Sequence, residues 1–493
     1  MYMKYNNFLK KISKIVLLVL AITFTSCVDF LETKQFTTSN EVGFYKTAKD
    51  FDQAVLGAYS AFGGLYNSGT FYFLMTDVRS DNTSVYVPGG AFGPLSKSEY
   101  DDFTLTSNNE HLGGYWNTAY VLIQRSNDII NFIAGASVAQ PLKDQYTGEA
   151  KVLRAIAYFN LVRFWGEVPL VTSRFAKIED SYEKGRNTIA EVYAQIETDL
   201  KDAATLLVTK RQTGSNVGRV DLGIALSLLG EVYLTQKKYT EAAAEYKKVI
   251  DLGVYGLVPV YSNLFGDGKQ GNIETIWQAQ FVANSNVESA YPSYCAPVGS
   301  EEVLVSILAF GWNQPTDDIA DAYGVGDVRR NAIGNGYTKN SVYFPNKYIK
   351  SYVDGVGAVS SGKDWYVLRY ADVLLKYAEA VNEVSGPASA YASVNLVRTR
   401  AGLANLPAGL SKDSFRDAVY QEERLESPFE GHRWFDLART GRTLAVMNAK
   451  VKATLTALGT IGISAPINAN QILLPIPSIV IANAPKVTQN PGY

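Results

Sequence analysis

From Asp221 the chain reads DLGIALSLLGEVYLTQKKYTEAAAEYKKVIDLG. Ala225, Leu228, Leu229, Val232 and Tyr233 recur at helical spacing; a polar turn follows, and then Ala242, Tyr246 and Val249 repeat the pattern. The spacing predicts two antiparallel helices. Leu229-Gly230 with Tyr233, and Ala242 with Tyr246, fit the tetratricopeptide pattern in residue type and offset: the small residues let paired helices approach, and the tyrosines fill the groove between them. Amphipathic stretches at 148–165, 188–207, 369–384, 388–401, 411–426 and 432–450 predict further helices. Together they make about four helix pairs, enough for a stacked solenoid in which neighbours bury one another's faces.

Two stretches have no such period. Residues 62–115 (with GGLYNSGTFYF, RSDNTSVYVPGGAFGP and TSNNEHLGGYW) and 255–359 are rich in Gly, Asn, Pro and aromatics, the composition of loops and short strands. Within the second, 273–281 (IETIWQAQF) reads as a strand. Their aromatic content argues against disorder, so they are expected to form a second lobe resting on the helices.

Composition narrows the chemistry. The 493 residues hold 32 Tyr, 22 Phe and 6 Trp but only two histidines, His111 and His432, and two cysteines, Cys27 and Cys295. Zinc, iron–sulfur and haem sites draw on clustered Cys and His, so the usual metal centres are excluded and no metal or other cofactor is expected. Forty-six basic against 48 acidic residues supply no basic field for nucleic acid. At the N-terminus, Lys4, Lys10, Lys11 and Lys14 precede an apolar run at 15–24 and then Thr25-Ser26-Cys27, a secretory signal layout. Ten apolar residues fall short of the roughly 20 that a membrane-spanning helix needs. Cys27 after small residues resembles the lipobox of bacterial lipoproteins, although Phe24 replaces the usual branched aliphatic residue. Residues 1–26 are thus expected to be removed and Cys27 acylated, which leaves Cys295 without a disulfide partner in the chain.

Five ordered motifs carry a wider resemblance: GEAKVLRAIAYFNLVRFWGEVPLV at 148–171, VLRYADVLLKYAEAVNE at 367–383, NLVRTRAGL at 395–403, EERLESPFEGHRWFDLARTGR at 422–442, and LLPIPSIVIANAPKVTQNPGY at the end of the chain. From Cys27 to Tyr493 the chain resembles the SusD/RagB family, surface lipoproteins that sit over SusC-like TonB-dependent outer-membrane transporters and capture nutrients, typically glycans. The resemblance implies a mainly α fold, a right-handed superhelix of about four tetratricopeptide-like units with a loop-rich lobe of short strands, the transporter on the helical side and ligand on the lobe. It implies a lipid-anchored, cell-surface protein without catalysis. The expected division is a signal at 1–26, an N-terminal SusD-like region at 27–235 and a C-terminal SusD/RagB region at 236–493, within one compact unit. Ser427-Pro428 stands where the family tends to have a Leu-Ala-like pair, and Pro428 should end the preceding helix at or before Ser427.

Arg154, Arg163, Glu426, Glu430, Arg433 and Asp436 lie in these motifs and read as ion pairs that fix helix stacking, and His432 as a structural hydrogen-bonding group. Sugar binding demands flat aromatic faces against pyranose C–H surfaces, with amide or charged groups reaching the hydroxyls. Arg79, Asp81 and Asn82 stand where the family carries a similar sequence on the ligand side, with Tyr86 and Phe92 behind. Tyr291, Tyr294, Trp312, Asn313 and Gln314 repeat the mixture, and Trp312 is the leading candidate. Arg79 and Asp81 read equally as a structural pair and Trp312 equally as a buried loop aromatic held by Pro315, while Tyr86, Phe92, Tyr291 and Tyr294 each read as packing ahead of contact. A peptide cargo, as in the RagB branch, is the alternative; a glycan-cleaving enzyme using carboxylates such as Asp317 is disfavoured, since no pair shows catalytic spacing.

Overall fold

The computed structural model describes residues 44–67, 69–85, 95–175, 180, 183–209, 216–266, 268–285, 287–300, 304, 308–337, 342–349, 360–449 and 465–493. The chain divides into two units, Met1–Lys46 and Thr47–Tyr493. Cys27 lies outside the described residues.

The second unit begins with α1 (Ala48–Tyr66), opened by a capping box in which Thr47 and Asp50 satisfy each other's backbone N–H groups. After a π-helical turn at Leu74–Val78, strand β1 (Thr83–Ser84) and the short α2 (Leu95–Asp101) comes α3 (Glu110–Ile133), whose first turn is capped by Asn109. Next are α4 (Gln140–Trp165), α5 (Ile189–Leu206, with a Thr188/Glu191 capping box), α6 (Leu222–Thr235, capped by Asp221) and α7 (Tyr239–Asp251). The lobe that follows contains β2 (Thr275–Ala279), α8 (Tyr291–Cys295), β3 (Gln314–Pro315), α9 (Asp317–Asp321), β4 (Ile333–Tyr337), β5 (Val342–Pro345), α10 (Asn346–Ile349) and β6 (Trp365–Arg369). The chain then returns to helices: α11 (Tyr370–Ser385), α12 (Tyr391–Arg400), α13 (Lys412–Glu426), α14 (Arg433–Thr440), α15 (Thr443–Ala449) and α16 (Ser478–Asn483).

Packing runs in a continuous series: α1 on α3, α3 on α4, α4 on α5, α5 on α6, α6 on α7, α7 on α11, and α11 on α12 and α13. The eight long helices α1, α3–α7, α11 and α13 therefore stack in pairs as the fold class predicts, although the sequence pattern does not predict α1 or α3, and the stretches 388–401 and 432–450 form shorter helices beside the stack. The lobe is inserted between two consecutive members of the stack, α7 and α11, which still pack on each other. The tetratricopeptide reading holds in detail at Gly230, where an added Cβ would stand 2.8 Å from a ring carbon of the fully buried Tyr246. Only glycine lets that ring lie on the α6 backbone.

Several expectations are corrected. The aperiodic stretch at 62–115 contains the end of α1, the short α2 and the start of α3; its Gly-Gly and Asn-rich sequence hides the apolar face of α3, on which Leu112, Tyr115, Trp116 and Ala119 are buried. The helix expected at 432–450 is two, divided at Gly441, which takes a left-handed conformation (φ 73°) as the cap of α14. Helix α13 ends at Glu426 with Ser427 as its cap, as Pro428 requires. The strand expected at 273–281 is β2, paired antiparallel with β6.

A buried ion network holds the lobe to the stack. Arg369, at the junction of β6 and α11, donates to Glu274 (2.9 Å), Glu426 (2.9 Å) and Glu430 (2.7 Å), all with fully buried side chains. Arg400 of α12 bridges Glu274 and Glu426, Arg329 reaches Asp327, Glu422 and Glu426, and Lys347 of α10 meets Glu430 at 2.5 Å. The other motif charges behave alike. Arg154 grips Asp199 through two bonds (2.6 and 2.8 Å), Arg163 pairs with Glu231 (3.1 Å), and Asp436 pairs with Arg439 (2.9 Å). His432 Nε2 has no hydrogen-bond partner among the described residues. The closing motif straps the tail across the end of α4: Leu474 N donates to Phe164 O (2.8 Å) and Trp165 Nε1 to Pro475 O (2.9 Å).

Candidate functional site

The Arg79–Asn82 segment follows the π-helical turn and runs into β1, which pairs with β3 through Thr83 opposite Pro315. Arg79 is 1% exposed. Its guanidinium lies over Trp434 at 4.2 Å and donates to the carbonyl of Gln471, and burial away from carboxylates lowers its pKa to about 10. Asp81 receives Arg433 (2.7 and 3.0 Å) and Arg424 (3.0 Å), while Asn82 Oδ1 accepts from Arg424 Nε at 2.8 Å. Thr316 N donates to Asn82 O at 2.9 Å, which ties the segment to the residue after β3. The polar groups that the sequence suggested for ligand are thus buried and directed inward. They brace β1 and β3, with Asp81 held by α13 and α14 rather than by Arg79.

Beyond β3 the aromatic residues converge. Phe310, Gly311 and Trp312 hydrogen-bond through their backbone N–H groups to the carbonyls of Ser293 (2.9 Å), Ala296 (2.8 Å) and Tyr294 (2.7 Å), so this segment is pinned along α8. Gly311 adopts φ 66°, which turns the chain between the two rings. Trp312 lies 4.8 Å from Tyr294, 4.3 Å from Phe310 and 6.1 Å from Phe71 by ring centroids. Phe71 also stacks on Tyr294 (5.4 Å) and meets His111 (4.4 Å). Trp312 and Tyr294 are 7% and 9% exposed, whereas Phe71 and Phe310 are half-buried, so the cluster opens along their edges. Phe71 takes φ 50°, a left-handed conformation that is costly for an aromatic residue and sets its ring on the cluster.

Behind the cluster, Tyr291 is core: it packs on Tyr348 (4.7 Å) and Trp365 (4.9 Å), and its hydroxyl accepts from Asn313 Nδ2 at 2.7 Å. Asn313 is fully buried, and Gln314 Nε2 donates to Cys295 O at 2.7 Å. Of the candidate residues, the structure brings Trp312 and Tyr294 into one cluster, sets Tyr291 and Asn313 beneath it, and gives Arg79, Asp81 and Asn82 to the frame. Tyr86 and Phe92 lie outside the described residues. Sequence reading missed Phe71, Phe310, Lys97 and His111. The GTFYF run held Phe71 in plain view, but its unusual backbone angle has no sequence signature.

Lys97 of α2 rests its ammonium over Trp312 (4.2 Å) and Phe71 (5.2 Å). Burial lowers its pKa, and burial with the nearby Lys97 charge lowers His111 to about 4, leaving a neutral imidazole at pH 7. Among the described residues no group of three or more His, Cys, Asp or Glu is arranged to hold a metal ion. The arrangement offers aromatic edges, an ammonium lying over the Trp312 and Phe71 rings and an imidazole, which is the chemistry of recognition by apolar contact and hydrogen bonding.

The helical stack with an inserted aromatic lobe defines a class of protein, and comparison with known proteins shows which. Residues 322–493 match the SusD family, and residues 29–234 match a SusD-like family described as "Starch-binding associating with outer membrane". The chain belongs to the SusD/RagB family. It is 25% identical to a SusD-like protein, P2, of Formosa agariphila over 97% of this chain and 99% of that one. Among solved structures it resembles a "Laminarin binding SusD-like protein" (TM-score 0.77, 25% identity, covering 91% of this chain and 100% of that one). It also resembles a SusD homologue from Bacteroides thetaiotaomicron (TM-score 0.79, 24% identity, covering 92% and 99%), a likeness of fold.

Proposed function

We propose that this protein is a surface-exposed outer-membrane lipoprotein, anchored through Cys27, that binds an oligosaccharide non-covalently and delivers it to a SusC-like TonB-dependent transporter. The observation that carries the binding reading is the Trp312–Tyr294–Phe310–Phe71 cluster, pinned along α8 and open at its edge. The family's starch-binding description and the laminarin-binding relative support the same reading. A pyranose lays its C–H face on such rings, and the backbone bonds that pin them along α8 limit the entropy lost on binding. Few contacts on a shallow site give modest affinity, about micromolar or weaker, which suits a protein that must release its cargo.

The test is a glycan array of the mature chain, residues 28 onward, followed by calorimetry on the best saccharide. Trp312→Ala should weaken binding by about 1–3 kcal/mol, the range for loss of one aromatic stacking partner. Unchanged affinity would remove Trp312 from the site, and an array with no saccharide bound would defeat the reading.

A further inference from the structure

Lys97 is the least ordinary group in the cluster. It is 5% exposed, yet its ammonium makes no hydrogen bond or ion pair among the described residues and rests on the faces of Trp312 and Phe71. Of the carboxylates in the surrounding segment, Glu110 is near enough to favour the ammonium electrostatically but makes no ion pair with it, and it is shared with other partners. Glu110 Oε1 accepts from Ser96 Oγ at 3.1 Å and lies 3.4 Å from His111 Nε2; Glu99 accepts from Asn109 Nδ2 at 2.8 Å; Asp101 accepts from Val85 N at 2.9 Å. An ammonium taken out of water with no carboxylate in contact among the described residues is costly, and two aromatic faces and the more distant Glu110 offset only part of that cost. A lysine kept in this condition, across the ring most suited to stack a sugar, has three donors to offer a ligand.

We infer that Lys97 is a specificity-determining residue that selects an acidic saccharide, its ammonium meeting an anionic oxygen on the sugar stacked against Trp312. The inference rests on the glycan reading above and narrows it to one substrate class. An anionic oxygen can come from the carboxylate of a uronic acid or from a sulfate ester. Both give Lys97 an anionic partner in direct contact, and the ammonium, a compact point charge, does not demand the planar geometry that a guanidinium would. The neutral His111 beside it adds no competing charge and leaves a ring nitrogen for a sugar hydroxyl.

The experiment measures binding of the mature chain to three sets of probes. These are neutral glucans, mannans and galactans; oligogalacturonate and oligoalginate, which carry carboxylates; and sulfated galactans. Binding is expected to fall in one of the two charged sets, at least tenfold tighter than to any neutral probe, and to weaken as salt is raised. Lys97→Met should bring the charged probe down to the neutral level while leaving thermal stability equal or higher, because it removes a desolvated charge. Lys97→Arg, which keeps the charge, should retain most of the preference and guards against a Met variant that folds poorly. Tight binding confined to neutral probes overturns the inference and leaves the glycan reading standing. So does a charged probe whose affinity is indifferent to Lys97→Met. Binding to none of the sets overturns both.

Discussion

Arg369→Met tests the idea that a buried ion network, rather than apolar contact alone, fastens the lobe to the helices. The guanidinium is fully buried and serves three carboxylates, and it also donates to Glu426 O (3.1 Å) and Ser427 Oγ (3.2 Å). Methionine fills much of the volume but leaves Glu274, Glu426 and Glu430 with only Arg400, Arg329 and Lys347 among them. Removing one member of a buried pair typically costs about 3–5 kcal/mol, because the partner charges remain desolvated. With three carboxylates affected, the upper part of that range is expected in urea unfolding at pH 8. The pH dependence sharpens the test. Burial pushes Glu426 up, but Arg400, Arg369 and Arg329 outweigh it and hold it at about 2. A carboxylate depressed in the fold contributes stability that is present above its unfolded value and lost as pH falls towards the folded one. Without Arg369 the Glu426 contribution is smaller, and in both proteins it vanishes as pH falls from the unfolded value towards about 2, so the deficit against wild type should be constant between pH 8 and pH 5 and narrow below that. A loss below about 1 kcal/mol, or a deficit that does not narrow in acid below about pH 5, would refute the network's role.

Other expectations are narrower. Gly230→Ala places a methyl 2.8 Å from the Tyr246 ring and should cost about 1–3 kcal/mol in thermal or urea unfolding, with most of it recovered in a Gly230→Ala, Tyr246→Leu double variant. Asp77, in the π-helical turn, is raised to about 7 by burial, opposed by the Gly431 N–H and Lys347 and reinforced by Glu430. Its stabilising effect is lost as pH rises towards 7, so Asp77→Asn should stabilise the protein at pH 8 and do little at pH 5; equal effects at both would refute it. Cys295 is buried and free, and burial pushes its thiol well up, so a disulfide-exchange reagent should label it only at the rate of unfolding.

How much of this was legible in the sequence depended on whether a residue's role is local. The helix pair at α6 and α7 was readable because Gly230 and Tyr246 sit at fixed offsets within one repeat, and the end of α13 because proline acts on its immediate predecessor. The charges of the closing motifs were rightly assigned to stacking, yet their partners were not readable. Glu274 comes to Arg369 from a strand on the far side of the lobe, and Arg424 and Arg433 come to Asp81 from α13 and α14. The same distance in sequence misled the site reading. Arg79, Asp81 and Asn82 read as ligand contacts, Arg79 and Asp81 equally as a structural pair, and nothing local showed that two arginines some 340–350 positions away would hold Asp81 and Asn82.

The site and the scaffold are one construction. Arg424 and Arg433 hold Asp81 just before β1, which pairs with β3, and β3 begins two residues after Trp312, so the Trp312 ring is tied to an ion cluster outside the aromatic group. Phe71 reaches the same cluster from the other side by accepting an unfavourable backbone angle just before the π-helical turn that leads to Arg79. Strain and buried charge are both costly to folding, and here both are spent within a few residues of the aromatic cluster. That coincidence is what a preorganised binding face requires and what a simple hydrophobic core does not. Weakening the frame at Arg433 should therefore loosen ligand binding without removing a single ligand contact, an effect that separates positioning from contact in any mutational survey of this lobe.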